Sequence, residues 1–241
     1  MQYGPKIVTN GLVFYVNAAD KKSFSGSGSN NWKDISSSNI SGTNCLVGGP
    51  TFSSANGGYI TTGINTSGKY FTWGANISQV NFQSNNFTIS LMLKPYNDFV
   101  GGAQLGIMGY GQENQSGYWM MISKYAYQSI DFMTGQFGTF QRTSSSIFTS
   151  YANKWVYLTI VRTGSSVKIY ANNVDITQTA GTHSNPTSNT TIPLLLGACT
   201  IPGGTSWSGY ADYASFAMYN RALSASELTQ NFNAVRGRFG L

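Results

Sequence analysis

Apolar and polar residues alternate with a period of two along much of this chain, which is the pattern of half-buried β-strands. In the segment 86–95 every second residue from Phe87 to Leu93 is apolar, and Pro95 ends the run because it cannot donate to a sheet. Shorter apolar runs bounded by Gly, Asn and Ser predict further strands at residues 11–17, 105–110, 118–124, 129–133, 192–198 and 208–219.

The clearest pair of adjacent strands lies between Lys154 and Asn172. Two runs rich in β-branched and aromatic residues, 155–162 and 167–171, flank a Gly-Ser turn at 163–166. This spacing predicts an antiparallel hairpin, and the Asn pair that follows supplies the next tight turn.

One segment, 223–235, predicts a helix. Ser224 is the expected N-cap and Glu227 follows three residues later, which is the spacing of a capping box. Gly237 is expected to end the helix. The apolar residues of the segment share one helical face, at Leu228, Phe232 and Val235.

The order of these elements predicts the fold class. About a dozen short strands without alternating helices indicate a two-sheet antiparallel β-sandwich, closed by one short C-terminal helix. No composition break, long linker or repeat divides the chain, and 241 residues are a normal length for one all-β domain. We therefore expect an N-terminal arm at 1–10 and a single domain at 11–241.

The charge changes this picture little. Lys and Arg number 14 against 8 Asp and Glu, a formal charge of +6, but charged residues make up only 9% of the chain. Because the cations are scattered, a nucleic-acid partner is not expected. No apolar run is long enough for a membrane span, and the first residues lack the apolar core of a signal peptide. Cys45 and Cys199 are expected to be buried free thiols.

Groups that could catalyse a reaction are scarce. His183, the single histidine, lies in a polar turn-like segment and is expected to be a solvated loop residue. Glycoside hydrolysis needs two carboxylates, whereas Glu113 is expected in a loop and Glu227 in the helix cap. No strand carries acids at alternate positions, so we do not expect an enzyme; a polysaccharide hydrolase is the remote alternative.

Binding chemistry has two sets of candidates. Calcium prefers oxygen ligands from loops, and the candidates are Asp98, Glu113 and Asn114, which bracket one predicted strand. Trp155, which leads its hairpin strand, is expected to pack in the core or between the sheets. Other rings near Gly-rich and Asn-rich loops could contact a glycan or a partner, and these are Tyr118, Trp119, Tyr125, Tyr127 and Trp207.

Several segments resemble a known family. The opening segment 11–20 with Trp32-Lys33-Asp34, and the closing segments 207–212 and 218–224 with the following helix, are similar to concanavalin A-like, laminin G-like jelly-roll domains. Such domains occur in structural proteins of tailed bacteriophages. The resemblance implies a jelly-roll sandwich over nearly the whole chain. Phage relatives often carry Asp where this chain has Asn17, so the chain departs from their acidic pattern there.

The resemblance implies a non-enzymatic virion protein exposed on the particle, as a capsid decoration or a tail or baseplate component, with weak glycan adhesion. Its partners would be other virion proteins and further copies of itself, and its location the virion after synthesis in the host cytoplasm. Without a stalk or anchoring domain, an edge strand or the arm at 1–10 would dock on neighbours. The alternative is a carbohydrate-binding adhesin that recognises host surface glycans. No cofactor is expected, with calcium left open.

Overall fold

A computed structural model of the chain describes residues 5–63, 68–96, 104–123, 129–200 and 206–241, without the side chains of Ile147, Ser206 and Trp207. The described residues form eighteen strands and one α-helix, α1 (Ala225–Arg236). The strands are β1 (Leu12–Asn17), β2 (Leu46–Val47), β3 (Thr51–Ser53), β4 (Tyr59–Thr61), β5 (Tyr70–Trp73), β6 (Phe87–Pro95), β7 (Leu105–Gln112), β8 (Ser116–Ser123), β9 (Ser129–Gln136), β10 (Thr139–Ile147), β11 (Val156–Thr163), β12 (Ser166–Ala171), β13 (Val174–Asp175), β14 (Thr177–Thr179), β15 (Leu194–Leu196), β16 (Ala198–Thr200), β17 (Ser206–Ser208) and β18 (Ala211–Tyr219).

The strands form two sheets. Sheet A has eight strands in the order β13-β12-β11-β6-β18-β4-β3, and β1 also pairs with β18. Sheet B has ten strands, with the path β14-β10-β9-β8-β7-β15-β5-β2 and with β16 and β17 beside β7. The pairings among the described strands are antiparallel except for one bridge between β16 and β7. The predicted two-sheet antiparallel sandwich is confirmed.

The core lies between the sheets, and the period-two pattern explains which residues enter it. On β6, Phe87, Ile89, Leu91 and Leu93 are buried in the core cluster, as predicted. The Phe87 ring contacts Tyr118 and Phe132 of sheet B. Burial of this apolar surface is the main term that stabilises a sandwich of this size.

Helix α1 covers the outer face of sheet A. Ser224 Oγ accepts the Glu227 N–H and the Glu227 side chain accepts the Ser224 N–H, so the predicted capping box is confirmed. Leu228 packs in a cluster with Tyr219 of β18. The α-helix ends at Arg236 with Gly237 as its C-cap, as predicted, and a 3-10 turn then continues to Phe239.

Residues 5–10 pack on the same side of the molecule. The Val8 N–H donates to Asn231 Oδ1 at 2.8 Å, and Gln230 Nε2 donates to the Lys6 carbonyl at 2.8 Å. The Tyr219 hydroxyl donates to the Val8 carbonyl at 3.1 Å. The described part of the arm is therefore fixed on this chain's own helix and sheet. Docking on neighbours through an edge strand or the arm stays a prediction.

The sequence pattern predicted one hairpin correctly and missed one long strand. The hairpin of β11 and β12 is confirmed, with its turn at residues 164–165 and with Asn172 and Asn173 both at positive φ. Strand β10, however, was not predicted, because its Thr-Phe-Gln-Arg-Thr-Ser-Ser-Ser sequence has few apolar positions. Its Thr143 and Ser145 are buried as hydrogen-bonding polar residues.

Candidate functional site

The structure first removes two rings from the candidates for a glycan or partner contact. Tyr118 is fully buried in the core, where its hydroxyl donates to the Val80 carbonyl at 2.7 Å, and burial raises its pKa well above the usual value. Trp119 is 1% exposed although it lies on the other face of β8. It packs with Met121, Met133 and Cys199. The expectation that these two rings reach a ligand is wrong.

The other candidate rings stay predictions. Tyr125 and Tyr127 lie outside the described residues. Trp207 belongs to β17, but its side chain is outside the described set.

The calcium candidates are only partly described. Asp98 lies outside the described residues, and Glu113 and Asn114 lie at the turn between β7 and β8. Burial raises the pKa of the Glu113 carboxyl, and Asn114 adopts a positive φ of 60° with its carbonyl accepting the Gly138 N–H. In the part of the chain that the structure describes, no group of three or more His, Cys, Asp or Glu is placed to hold a metal. Calcium binding stays a prediction.

His183 is not solvated, contrary to expectation. It is 1% exposed and its ring contacts the adjacent strands β9 and β10 of sheet B, with Nδ1 at 2.9 Å from Thr134 Oγ1 and Nε2 at 2.8 Å from Thr143 Oγ1. Burial, together with the nearby Arg162 guanidinium, lowers its pKa to about 4. A neutral imidazole enclosed by two hydroxyls is a structural group here.

Most described carboxylates are already engaged. Asp34 accepts the backbone N–H groups of Tyr15, Ser36 and Ile40. Ion pairs join Lys94 to Asp212 at 2.7 Å, Arg142 to Asp131 at 3.5 Å, Lys168 to Asp175 at 3.0 Å and Arg221 to Glu227 at 2.6 Å.

A surface cavity of about 490 Å³ lies beside the start of β11, where a short polar turn precedes the strand. The turn is a 3-10 segment, Thr149–Tyr151, followed by Asn153 at a positive φ of 57°. The Asn153 N–H donates to the Pro95 carbonyl at 2.7 Å, which fixes the turn to the end of β6. We call this cavity the Trp155 pocket; it is lined by Ser150, Tyr151, Asn153, Lys154, Trp155, Asn172, Phe239 and Leu241.

The Trp155 ring is held rigidly at the edge of this pocket. Its centroid lies 4.4 Å from that of Phe239 and 5.4 Å from that of Tyr59, which meets it edge-on. The Lys94 ammonium lies 5.7 Å from the ring centroid. Trp155 is only partly buried, so part of a fixed indole borders the pocket.

Polar groups complete the lining. Asn172 Oδ1 accepts the Tyr157 N–H at 2.8 Å, and its Nδ2 has no hydrogen-bond partner among the described residues. Lys154 and Ser150 are exposed at the rim. The Lys94 ammonium also lies 5.5 Å from the Tyr96 ring centroid. The Tyr96 hydroxyl donates to Asp212, and burial together with that bond raises the pKa of Tyr96 to about 12.

The family of the chain follows from its sequence as well as its fold. The family model Laminin_G_3, described as the concanavalin A-like lectin/glucanases superfamily, matches residues 65–229. This chain belongs to that superfamily. No curated protein matches the sequence of this chain.

Solved structures share the fold of this concanavalin A-like domain. The binding domain of Paraclostridial Mosquitocidal Protein 1 superposes with a TM-score of 0.64 at 20% identity, over 93% of this chain and 52% of that one. The binding domain of botulinum neurotoxin DC matches with a TM-score of 0.70 at 18% identity in complex with rat synaptotagmin II, over 93% of this chain and 52% of that one. The structure of the same binding domain in complex with SialylT matches with a TM-score of 0.69 at 15% identity, over 94% of this chain and 52% of that one.

These matches establish the fold of the concanavalin A-like domain. The chain spans about half the length of the structures it matches. Neither the family nor these structures refer to a virion, so the predicted capsid or tail role stays a prediction. No helix in the described parts of the chain has the length and hydrophobicity needed to cross a membrane.

Sequence reasoning missed the Trp155 pocket of the concanavalin A-like domain because it placed Trp155 in the core. The alternation that buries Val156 and Leu158 between the sheets puts Trp155 and Tyr157 on the opposite face of sheet A. That signal was present in the sequence. The pairing of Trp155 with Phe239, 84 positions later in the chain, was not visible in any local pattern.

Proposed function

We propose that this chain is a non-catalytic carbohydrate-binding module and that the Trp155 pocket is its sugar site. The observation that carries the proposal is a rigid, partly exposed indole beside amide and hydroxyl groups in a cavity of about 490 Å³. A volume of this order suits a ligand of one or two sugar rings.

The chemistry of the lining suits a sugar. The apolar C–H face of a pyranose can stack on an aromatic ring, while its hydroxyls need donors and acceptors. Trp155 and Tyr151 supply rings, and Asn172 Nδ2 supplies a donor that is unoccupied within the described residues. Since Phe239 and Tyr59 already fix the Trp155 ring, little side-chain entropy is lost on binding.

The same lining argues for binding without catalysis. No Asp or Glu is among the described residues that line the pocket, whereas glycoside hydrolysis needs two such side chains. Membership of a superfamily that includes lectins, and the likeness to a toxin binding domain solved with SialylT, support the sugar reading. The carbohydrate-binding alternative is thus better supported than passive scaffolding.

The test is a glycan array followed by titration calorimetry with the best glycan. Trp155→Ala should weaken binding about tenfold or more, since it removes the stacking surface. Ser150→Trp should also weaken binding, because a bulky side chain at the rim obstructs the pocket without removing any packing. Phe137→Ala is the matched control, since that ring is 84% exposed in the β9–β10 hairpin of sheet B.

Thermal unfolding of each variant separates loss of binding from loss of folding. If no glycan is retained, or if Trp155→Ala and Ser150→Trp bind as the unmodified protein does, the proposal is wrong.

The virion location is a separate proposal that rests on the family resemblance. An exposed particle protein and a sugar-binding module are not exclusive, because a surface protein can also adhere. Immunogold labelling of purified particles tests it, and particles without label would overturn it.

A further inference from the structure

A second cavity, of about 700 Å³, lies between residues 5–9, strand β1 with the loop after it, and the end of helix α1. We call it the arm groove. It shares no residue with the Trp155 pocket. Its charged and hydrogen-bonding lining includes Lys6, Lys21, Arg238, Asp20, Tyr15 and Asn17.

The groove has fixed walls. Asn231 accepts the Val8 N–H and Gln230 donates to the Lys6 carbonyl, and these bonds hold one wall against helix α1. On the opposite wall, Asn17 Nδ2 donates to the Tyr15 hydroxyl at 3.0 Å, and Asn17 Oδ1 accepts the Ala19 N–H at 3.0 Å. A ligand would therefore meet a preformed cleft, which lowers the entropic cost of binding.

Arg238 is a partly buried cation that has no counterion among the described residues. Its guanidinium donates to the Asn56 carbonyl at 3.0 Å, the Gly58 carbonyl at 3.0 Å and Asn17 Oδ1 at 3.3 Å, all of them neutral acceptors. Burial lowers its pKa, and no described carboxylate forms an ion pair with it. A guanidinium has five N–H donors, so these bonds leave two without a partner among the described residues.

The other groups of the groove add to the same preference. Lys6 and Lys21 are exposed lysines on its rim, against the single acid Asp20. The Tyr15 hydroxyl accepts the Asn17 bond and has no described acceptor for its own proton. Burial raises the pKa of Tyr15, so this hydroxyl stays a donor at neutral pH. The lining thus offers three cations and a neutral donor to a ligand.

We propose that the arm groove binds the carboxylate of an acidic sugar. The excess of cations and free N–H donors selects an anion, and carboxylate suits the planar guanidinium. The cavity is far larger than a simple anion needs, and Ile7, Leu12 and Ile35 give it apolar wall for the ring of a sugar. The ligand is a uronic-acid type ring whose carboxylate lies at Arg238.

Two matched ligands test the chemistry. Methyl β-D-glucuronide and methyl β-D-glucoside differ only in a carboxylate against a hydroxymethyl group. Titration calorimetry should show the glucuronide binding about tenfold or more tightly, with the difference shrinking as NaCl is raised. Equal binding of the two, or no binding of either, would overturn the proposal. Competition by acetate at the same concentrations would show a simple anion site and refute the sugar part.

Neighbouring lysines provide a matched pair of variants. Lys21 lines the groove, whereas Lys22, also exposed, does not. Lys21→Gln should weaken glucuronide binding about threefold, and Lys22→Gln should leave it unchanged. Equal losses in both would show attraction to net charge alone and refute a defined site.

Arg238→Gln should cause the largest loss, about tenfold or more. Because Arg238 also holds the loop at Asn56 and Gly58, the thermal unfolding of this variant is measured first. If the variant does not fold, the comparison of Lys21→Gln with Lys22→Gln decides the test. If the Trp155 pocket is not a sugar site and the arm groove is, the protein binds no neutral glycan but still binds the glucuronide. Failure of the arm groove would show as equal binding of glucuronide and glucoside.

Discussion

The burial of His183 predicts a measurable dependence of stability on pH. In the unfolded chain its pKa is 6.5, and in the folded protein burial lowers it to about 4. The unfolded state therefore binds more protons between these values, so the free energy of unfolding falls as pH falls from about 7. Below pH 4 the free energy of unfolding is lower by about 3 kcal/mol than at a pH where His183 is neutral in both states, since each unit of pKa difference contributes about 1.4 kcal/mol.

Most of this loss precedes protonation of the carboxylates. By pH 5 the linkage relation already gives about 2 kcal/mol relative to pH 7. His183 is the single histidine of the chain, so no second imidazole contributes. Urea unfolding followed by tryptophan fluorescence at pH 7 and pH 5 measures the difference.

His183→Gln is the comparison variant, because a Gln amide offers the two threonine hydroxyls a donor and an acceptor but does not titrate. It should be less stable than the unmodified protein at pH 7, yet lose almost nothing further by pH 5. Equal losses in the two proteins over this interval would refute the reasoning. An NMR titration of the imidazole C–H protons provides an independent check, since a pKa near 6.5 would contradict burial of the neutral form.

Three further predictions concern stability and reactivity. Asp34→Ala should destabilise the protein by about 3 kcal/mol, since it leaves buried N–H groups without their acceptor; chemical denaturation measures this, and a change below about 1 kcal/mol would contradict it. Burial raises the pKa of Cys45 to about 11 and of Cys199 to about 12, so both thiols should react with Ellman's reagent only on unfolding; rapid native labelling would refute their burial. Glu227→Gln should cost about 1 kcal/mol through the capping box and the Arg221 ion pair, measured by thermal unfolding, with Asn233→Gln at an exposed position of the same helix as the control.

Local patterns predicted the elements whose hydrogen bonds are local. The β11–β12 hairpin and the capping box of α1 depend on residues less than twenty positions apart, and both are confirmed. Strand β6 was also predictable, because one buried face imposes its alternation on the sequence.

The errors concern residues whose environment comes from distant segments. His183 looked solvated because its neighbours are polar, but Thr134 and Thr143 reach it from β9 and β10. Trp119 looked like a surface ring because it follows a Gly-rich turn, but Cys199 of β16 packs against it. Neither contact can be predicted from the neighbouring residues in the sequence, because the residues that cover each side chain come from distant segments of the chain.

Strand β18 is the last strand of the chain, yet it pairs with β6, β4 and β1 near the centre of sheet A. During synthesis, strands β1, β4 and β6 therefore have no β18 to pair with until residues near 219 have left the ribosome. Closing contacts across some 200 positions is slow. We expect a nascent chain that stops before Ala211 to be aggregation-prone and chaperone-bound. Loss of this single strand would separate the part of sheet A formed by β13, β12, β11 and β6 from β4, β3 and β1.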